Sequence, residues 1–211
     1  MNDAAVQSPD LGIVDVAYAL PERVVSSEEI AARHGFDTAF IRDKLGISRR
    51  HIVSDSETTS SLAAAAGRAV LRQSRLAAEA IDLLIVVTQT PDHLLPHTSA
   101  LVHDAMKLRR DCAVFDISLG CSGWVYGLST ALGLMQTQGM QRALLVTADT
   151  YSRLIDPGDR ATAPLFGDGA AATLLGPQPR YRVGRTTFGS DGASHGALIA
   201  RGSGAAPSLP K

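Results

Sequence analysis

Between residues 117 and 141 the chain carries no Asp, Glu, Lys, Arg or His. An uncharged stretch of that length must either cross a membrane or run through the interior of a protein. Gly120, Gly123, Gly127, Gly133 and Gly139, together with several Ser, Thr and Gln, dilute its hydrophobicity well below that of a spanning helix. It therefore reads as a helix buried on all sides, which can dispense with a charged face. Such a helix needs covering layers, and 211 residues with 45% hydrophobic content are enough to supply one substantial domain.

The flanking pattern supplies those layers. The apolar run from Gly12 to Leu20 stops at Pro21, and Ser26, Ser27, Glu28 and Glu29 then mark a helix start with acids in its first turn. Thr58, Thr59 and Ser60 open an alanine-rich helix over 57–73, and Asp82 precedes Leu83 to Val87, a short continuous apolar strand. The alternation continues with a helix over Thr98–Leu108, a strand over Ala113–Ile117, a helix over Ser122–Gln138 and a strand over Ala143–Thr147. Strands alternating with helices imply an α/β chain with a largely parallel, covered sheet. Two further strand-like runs, Ala170–Leu175 and Tyr181–Phe188, flank Gly176-Pro177-Gln178-Pro179 and read as a hairpin or an adjacent edge pair. Residues 1–200 form the folded unit in this reading, and 201–211, rich in Gly, Ser and Pro, form a flexible loop.

A formal net charge of -1 with Lys and Arg scattered among acids leaves no basic stripe for a nucleic acid, although a local anion site stays open. Two cysteines, Cys112 and Cys121, make no disulfide framework, and Met1 to Asp10 show no basic region leading into an apolar stretch. The expected compartment is a reducing cytoplasm, with no membrane and no metal.

Phe115 to Trp124 holds the chemistry. An apolar strand ends in Gly120, Cys121 follows, and a helix begins at once, a layout like a nucleophile elbow. Gly120 permits a tight turn of unusual dihedrals, and the free N–H groups at the helix start surround the thiol. Helix N-termini depress a cysteine pKa from about 8.5 and so favour the attacking thiolate. The same N–H groups can hold the oxyanion of an acyl-transfer intermediate, worth on the order of 3 kcal/mol per donor. The plain alternative is a small buried cysteine, which is the reading for Cys112. A dinucleotide-binding reading is weaker, because Gly120, Gly123 and Gly127 lack the paired spacing and only Asp149 follows as an acid.

Three segments, Asp116 to Gly127, Asp156 to Arg160 and Leu165 to Ala171, resemble in order and spacing the ketoacyl-ACP synthase III family. Gly46 to His51 and Thr90 to Pro96 match as well. The resemblance implies the N-terminal half of a thiolase-like fold, with a mixed, mainly parallel sheet covered by helices. It also implies a buried central helix whose Gly123 and Gly127 allow close packing at a pseudo-twofold axis. By the same resemblance, Cys121 takes an acyl group from acyl-CoA and a malonyl acyl carrier protein decarboxylates and attacks it. No cofactor is implied beyond the coenzyme A thioester as substrate, and the family assembles as a homodimer.

Arg160 matches a contact to the nucleotide end of coenzyme A. Phe40 stands where the family often has a tryptophan on adenine, and Lys44 where it often has an arginine, so donor affinity or identity is expected to differ. Leu95 matches the residue that closes the acyl pocket from the partner subunit; without the resemblance it reads as a core leucine before Pro96. Gly167-Asp168-Gly169 is assigned a structural role. The family's catalytic histidine and asparagine match no residue here. His34, His51, His93, His97, His103 and His195 read as loop or surface residues.

The chain is accordingly expected to be a fragment, one polypeptide of a two-chain enzyme, or a non-catalytic partner subunit. In each case an apolar face around Trp124 and Leu128 awaits a cover. Transfer to a hydroxyl or amine without decarboxylation is the alternative chemistry.

Overall fold

Patterned alternation becomes a six-stranded sheet with helices on both faces in the computed structural model, which describes residues 10–156 and 158–200. In chain order the elements are β1 (Leu11–Ala19), β2 (Val24–Ser26), α1 (Ser27–His34), α2 (Thr38–Phe40), β3 (Arg49–His51), α3 (Thr59–Gln73), β4 (Leu83–Val87), α4 (Thr98–Met106), β5 (Ala113–Ile117), α5 (Gly123–Gln138), β6 (Ala143–Asp149), β7 (Gly169–Pro177) and β8 (Tyr181–Arg182). Helix starts follow local chemistry. Ser26 and Glu29 form a capping box on α1, as Thr58 and Ser61 do on α3, each pair satisfying two N–H groups that a helix leaves orphaned. Gly35 ends α1 in the left-handed region at φ 66°. Among the described residues no helix is long and apolar enough to cross a membrane.

The sheet order is β5-β4-β6-β7-β1-β8. β4 pairs in parallel with β5 and β6, whereas β6–β7, β7–β1 and β1–β8 are antiparallel. Four of the six strands, β5, β4, β6 and β1, therefore point the same way. β4 is buried along its whole length, and its side chains alternate between two cores as the strand period demands. Leu84 and Val86 pack with Leu62, Val70, Val102 and Met106 under α3 and α4. Leu83, Ile85 and Val87 pack with Leu128, Ala131 and Met135 of α5. Each such side chain contributes about 1.5–3 kcal/mol by leaving water.

The expected pairing of the last two strands is corrected. β8 is only Tyr181–Arg182, and it pairs with β1 through Gly12↔Arg182 and Ile13↔Tyr181. The reason is occupancy: both edges of β7 are already taken, by β6 on one side and β1 on the other. The chain leaving β7 must step over β1 to reach a free edge.

The uncharged helix is corrected too. In this chain α5 buries one face, through Gly123, Gly127, Leu128, Ala131 and Met135, and leaves the other open. Leu128 belongs to the core rather than to the open face. That face carries Trp124 and Val125, with the Trp124 indole N–H pinned to Thr173 Oγ1 at 3.1 Å. Gly123 and Gly127 serve the helix's own sheet: a Cβ on them would lie 2.4 Å from Val87 Cγ1 and 2.5 Å from Leu145 Cδ1.

A small second sheet, β2 paired antiparallel with β3, was not foreseen from the sequence. With α1 and a wide helical turn at Ile41–Leu45 it encloses Val25, Ile30, Ala31 and Ile41 as a separate core. Residues 201–211, read as a flexible loop, lie outside the described residues.

Candidate active site

Because β5, β4 and β6 run parallel and side by side, the loops that leave their C-terminal ends gather at one end of the sheet. In open α/β sheets that end is where ligands are held. The β5 loop supplies Cys121, the β4 loop Gln89 and the β6 loop Tyr151. Cys121 is exposed and unpaired, immediately before α5. The N–H of Gly123 is taken by Gly120 O at 2.8 Å, and those of Val125 and Tyr126 by Ser122 O at 3.1 and 3.2 Å. Among the described residues nothing accepts the N–H of Cys121 or Ser122. The turn thus offers a free thiol beside two uncommitted donors.

Gly120 works differently from the expectation. Among the described glycines, positive φ values fall at Gly35, Gly46 and Gly139 and not at Gly120. What it provides is close approach: a Cβ there would lie 2.4 Å from Gln89 Oε1. The Tyr151 hydroxyl donates to that same oxygen. Tyr151 stacks on Phe166, with centroids 5.1 Å apart and planes 25° from parallel. Burial, then the charges of Asp149 and Cys121, push the Tyr151 hydroxyl above its ordinary pKa, so it stays a donor.

Asp149 anchors this wall from behind. Its Oδ1 accepts from Gln89 N at 2.8 Å, Thr90 Oγ1 at 3.0 Å, Thr90 N at 3.1 Å and Thr88 Oγ1 at 3.1 Å. Burial raises its pKa, partly opposed by those donors. Sequence reasoning missed Gln89 and Tyr151 and considered Asp149 only as a nucleotide ligand. No local signal marks them, since their relation to Cys121 exists only through strand order. Cys112, by contrast, is the plain buried thiol expected, pushed up to about 11 by burial and by the Asp82 charge.

The remaining candidates fall elsewhere. Arg160 is exposed in the β6–β7 connection, its guanidinium 4.9 Å above the Phe36 ring, a cation–π contact. Phe36 packs on the small core, and Lys44 is exposed on the Ile41–Leu45 turn of the same core. The two cations are therefore brought to one substructure. Phe40 ends α2; its side chain lies outside the described residues. Leu95 is 88% exposed beside Leu94, so it is not a core leucine.

Asp168 has the structural role expected: buried, it accepts from Val53 N at 2.8 Å and from Ser152 N at 2.9 Å. Several histidines are corrected, because they sit in elements and hold backbone. His34 is buried in α1, His51 Nδ1 pairs with Pro21 O at 2.6 Å and His103 Nε2 with Arg109 O at 2.8 Å. Among the described residues no group of three or more His, Cys, Asp or Glu could hold a metal.

Comparison with known proteins agrees with this layout. The sequence model of the 3-oxoacyl-[acyl-carrier-protein] synthase III family matches residues 115–192, which include Cys121, Tyr151 and Arg160. The β-ketoacyl-[acyl-carrier-protein] synthase III of Deinococcus deserti is 39% identical over 192 residues, covering 90% of this chain and 55% of that protein. The acetoacetyl CoA synthase of Streptomyces sp. strain CL190 is 41% identical over 183 residues, covering 84% and 55% respectively. The crystal structure of the synthase III of Thermus thermophilus superposes with a TM-score of 0.86 at 36% identity, over 94% of this chain and 61% of that one. The chain thus spans a little over half the length of the curated relatives it matches. By motif, identity and fold together, it belongs to the 3-oxoacyl-[acyl-carrier-protein] synthase III family.

Proposed function

We propose that this chain supplies the acyl-accepting part of a 3-oxoacyl-acyl carrier protein synthase, with Cys121 as nucleophile. The observation that carries the reading is the exposed Cys121 thiol at a strand-to-helix turn, beside the N–H groups of Cys121 and Ser122, which nothing among the described residues accepts. The Cys121 sulfur attacks the thioester carbonyl of an acyl-CoA, and the carbonyl oxygen gains charge against those donors. The intermediate collapses, the bond to the coenzyme A sulfur breaks, and the thiol proton of Cys121 leaves with free coenzyme A. The Gln89–Tyr151 pair forms one wall of the turn and keeps a neutral hydroxyl near the Cys121 sulfur.

In the second stage a malonyl acyl carrier protein loses carbon dioxide. Its new carbanion attacks the Cys121 thioester, a carbon–carbon bond forms, and the Cys121 thiolate is released. The family's histidine and asparagine that assist this stage match no residue of this sequence. Acyl loading is accordingly the step assigned to the residues of this chain. Arg160 and Lys44 meet the nucleotide end of coenzyme A, Phe40 stacks on its adenine, and the exposed Leu95 closes the acyl pocket of a second copy in a homodimer. The relative named acetoacetyl CoA synthase favours one variant, in which the acceptor is a coenzyme A thioester rather than a carrier protein.

The test is intact mass after incubation with a series of short acyl-CoA donors. A single acyl adduct that is lost in Cys121→Ala and kept in Cys112→Ala is expected. No adduct from any donor rejects the catalytic reading and leaves a non-catalytic partner subunit. With acylated protein in hand, condensation with malonyl carrier protein or malonyl-CoA identifies the acceptor.

A further inference from the structure

Phe166, whose ring stacks on Tyr151, also lines a cavity of about 130 Å³ whose wall is otherwise apolar apart from Arg23, Arg33, His34, Arg50 and Ser152. The volume is several times the ~30 Å³ share of one water. Arg23 precedes β2, Arg33 and His34 end α1, Arg50 lies on β3, and Ser152 follows β6, so four separate parts of the chain converge. Arg23 and Arg33 are exposed at the rim, whereas Arg50 is only 4% exposed.

Arg50 is the informative residue. Its Nη2 donates to the Pro164 carbonyl, but among the described residues Nε and Nη1 have no partner. Burial draws its pKa down from the arginine value, yet a guanidinium does not lose its proton near neutral pH. A buried, half-satisfied cation is costly unless an anion joins it. No carboxylate of the described residues lines the cavity. Asp159 feels the charge of His34, but its oxygens already accept from Ala161 N and Thr162. Asp168, behind Ser152, is committed to Ser152 and Val53 N.

We propose that this cavity is a binding site for a phosphate-type oxyanion, gripped by Arg50 at its base and by Arg23 and Arg33 at its rim. Three arginines brought to one cavity from separate parts of the chain suit a tetrahedral, multiply charged acceptor better than a planar carboxylate, which one fork satisfies. Neither Arg160 nor Lys44 lines the cavity, so the site is separate from the expected nucleotide contacts. The phosphate comes either from free inorganic phosphate or from a coenzyme A thioester.

Calorimetric titration of the whole chain with inorganic phosphate tests this. Saturable one-to-one binding with Kd of about 1 mM or tighter is expected. Paired substitution Arg23→Gln with Arg33→Gln weakens it about tenfold, and Arg50→Met abolishes it. Paired Lys44→Gln with Arg160→Gln leaves it unchanged. If Arg50→Met does not fold, the exposed rim pair decides. Displacement of phosphate by coenzyme A but not by pantetheine assigns the phosphate to coenzyme A; displacement by neither assigns it to free phosphate. Absence of saturable binding, meaning a cavity filled by water alone, overturns the proposal, as does loss of binding in the Lys44 and Arg160 pair instead of the rim pair. Acyl-adduct formation in the same preparation separates the two readings, because the adduct requires the Cys121 thiol, whereas binding of inorganic phosphate does not.

Discussion

At the scale of single residues, the two cysteines are chemically opposite although both are free thiols. Cys112 is buried beside the Asp82 charge and raised to about 11, so near pH 8 it is an unreactive neutral thiol. Cys121 is exposed. Iodoacetamide at pH 8 is expected to label Cys121 alone, with Cys112 labelled only after unfolding; peptide mass mapping reads the result. Gly120 makes a sharper case. Gly120→Ala places a Cβ 2.4 Å from Gln89 Oε1, the end of a flexible side chain, so Gln89 swings away and releases the Tyr151 hydroxyl. Stability is expected to change by under ~1 kcal/mol while acyl loading slows several-fold. Adding Gln89→Ala relieves the clash, so a double-mutant cycle on loading rate gives coupling rather than additivity.

At the scale of elements, α5 shows how closely a helix can sit on its sheet. Gly127→Ala would press a methyl to 2.5 Å from Leu145 Cδ1 and 3.2 Å from Val87 Cγ2. It should cost about 1–3 kcal/mol in urea unfolding, because helix and sheet must separate. Gly133 on the same helix faces open space, and Gly133→Ala should stabilise by about 0.5–1 kcal/mol through helix propensity alone. The opposite signs at two glycines of one helix separate packing from propensity. α4 depends on a distant residue in another way. Its own His97 gives no side-chain cap, and Asp116 of β5 accepts from Thr98 N at 2.6 Å and Ser99 N at 2.7 Å instead.

At the scale of the whole molecule, the small sheet and the main sheet are tied through Asp168. It holds Val53 N beyond β3 and Ser152 beyond β6 at once. Asp168→Ala should destabilise by about 2–4 kcal/mol in thermal or urea unfolding, since buried donors lose a charged acceptor. Element types and most boundaries were legible in the sequence, because apolar period, Ser and Thr caps and glycine stops act within a few residues. The strand–glycine–cysteine–helix turn was legible for the same reason, as was Asp168 as a structural acid. Strand order was not. That β8 lands on β1 and that β4 lies between β5 and β6 depend on which edges are free once other segments have paired. The sequence by itself determined an α/β chain with Cys121 at the end of a strand. Only the tertiary structure decided that Gln89 and Tyr151 face that turn, that Gly123 and Gly127 clear the chain's own sheet, and that Arg50 is buried without a full set of partners among the described residues. Local patterns dictate what each segment becomes, but proximity between residues as far apart as 31 or 62 positions is settled by pairing and packing, which no local pattern encodes.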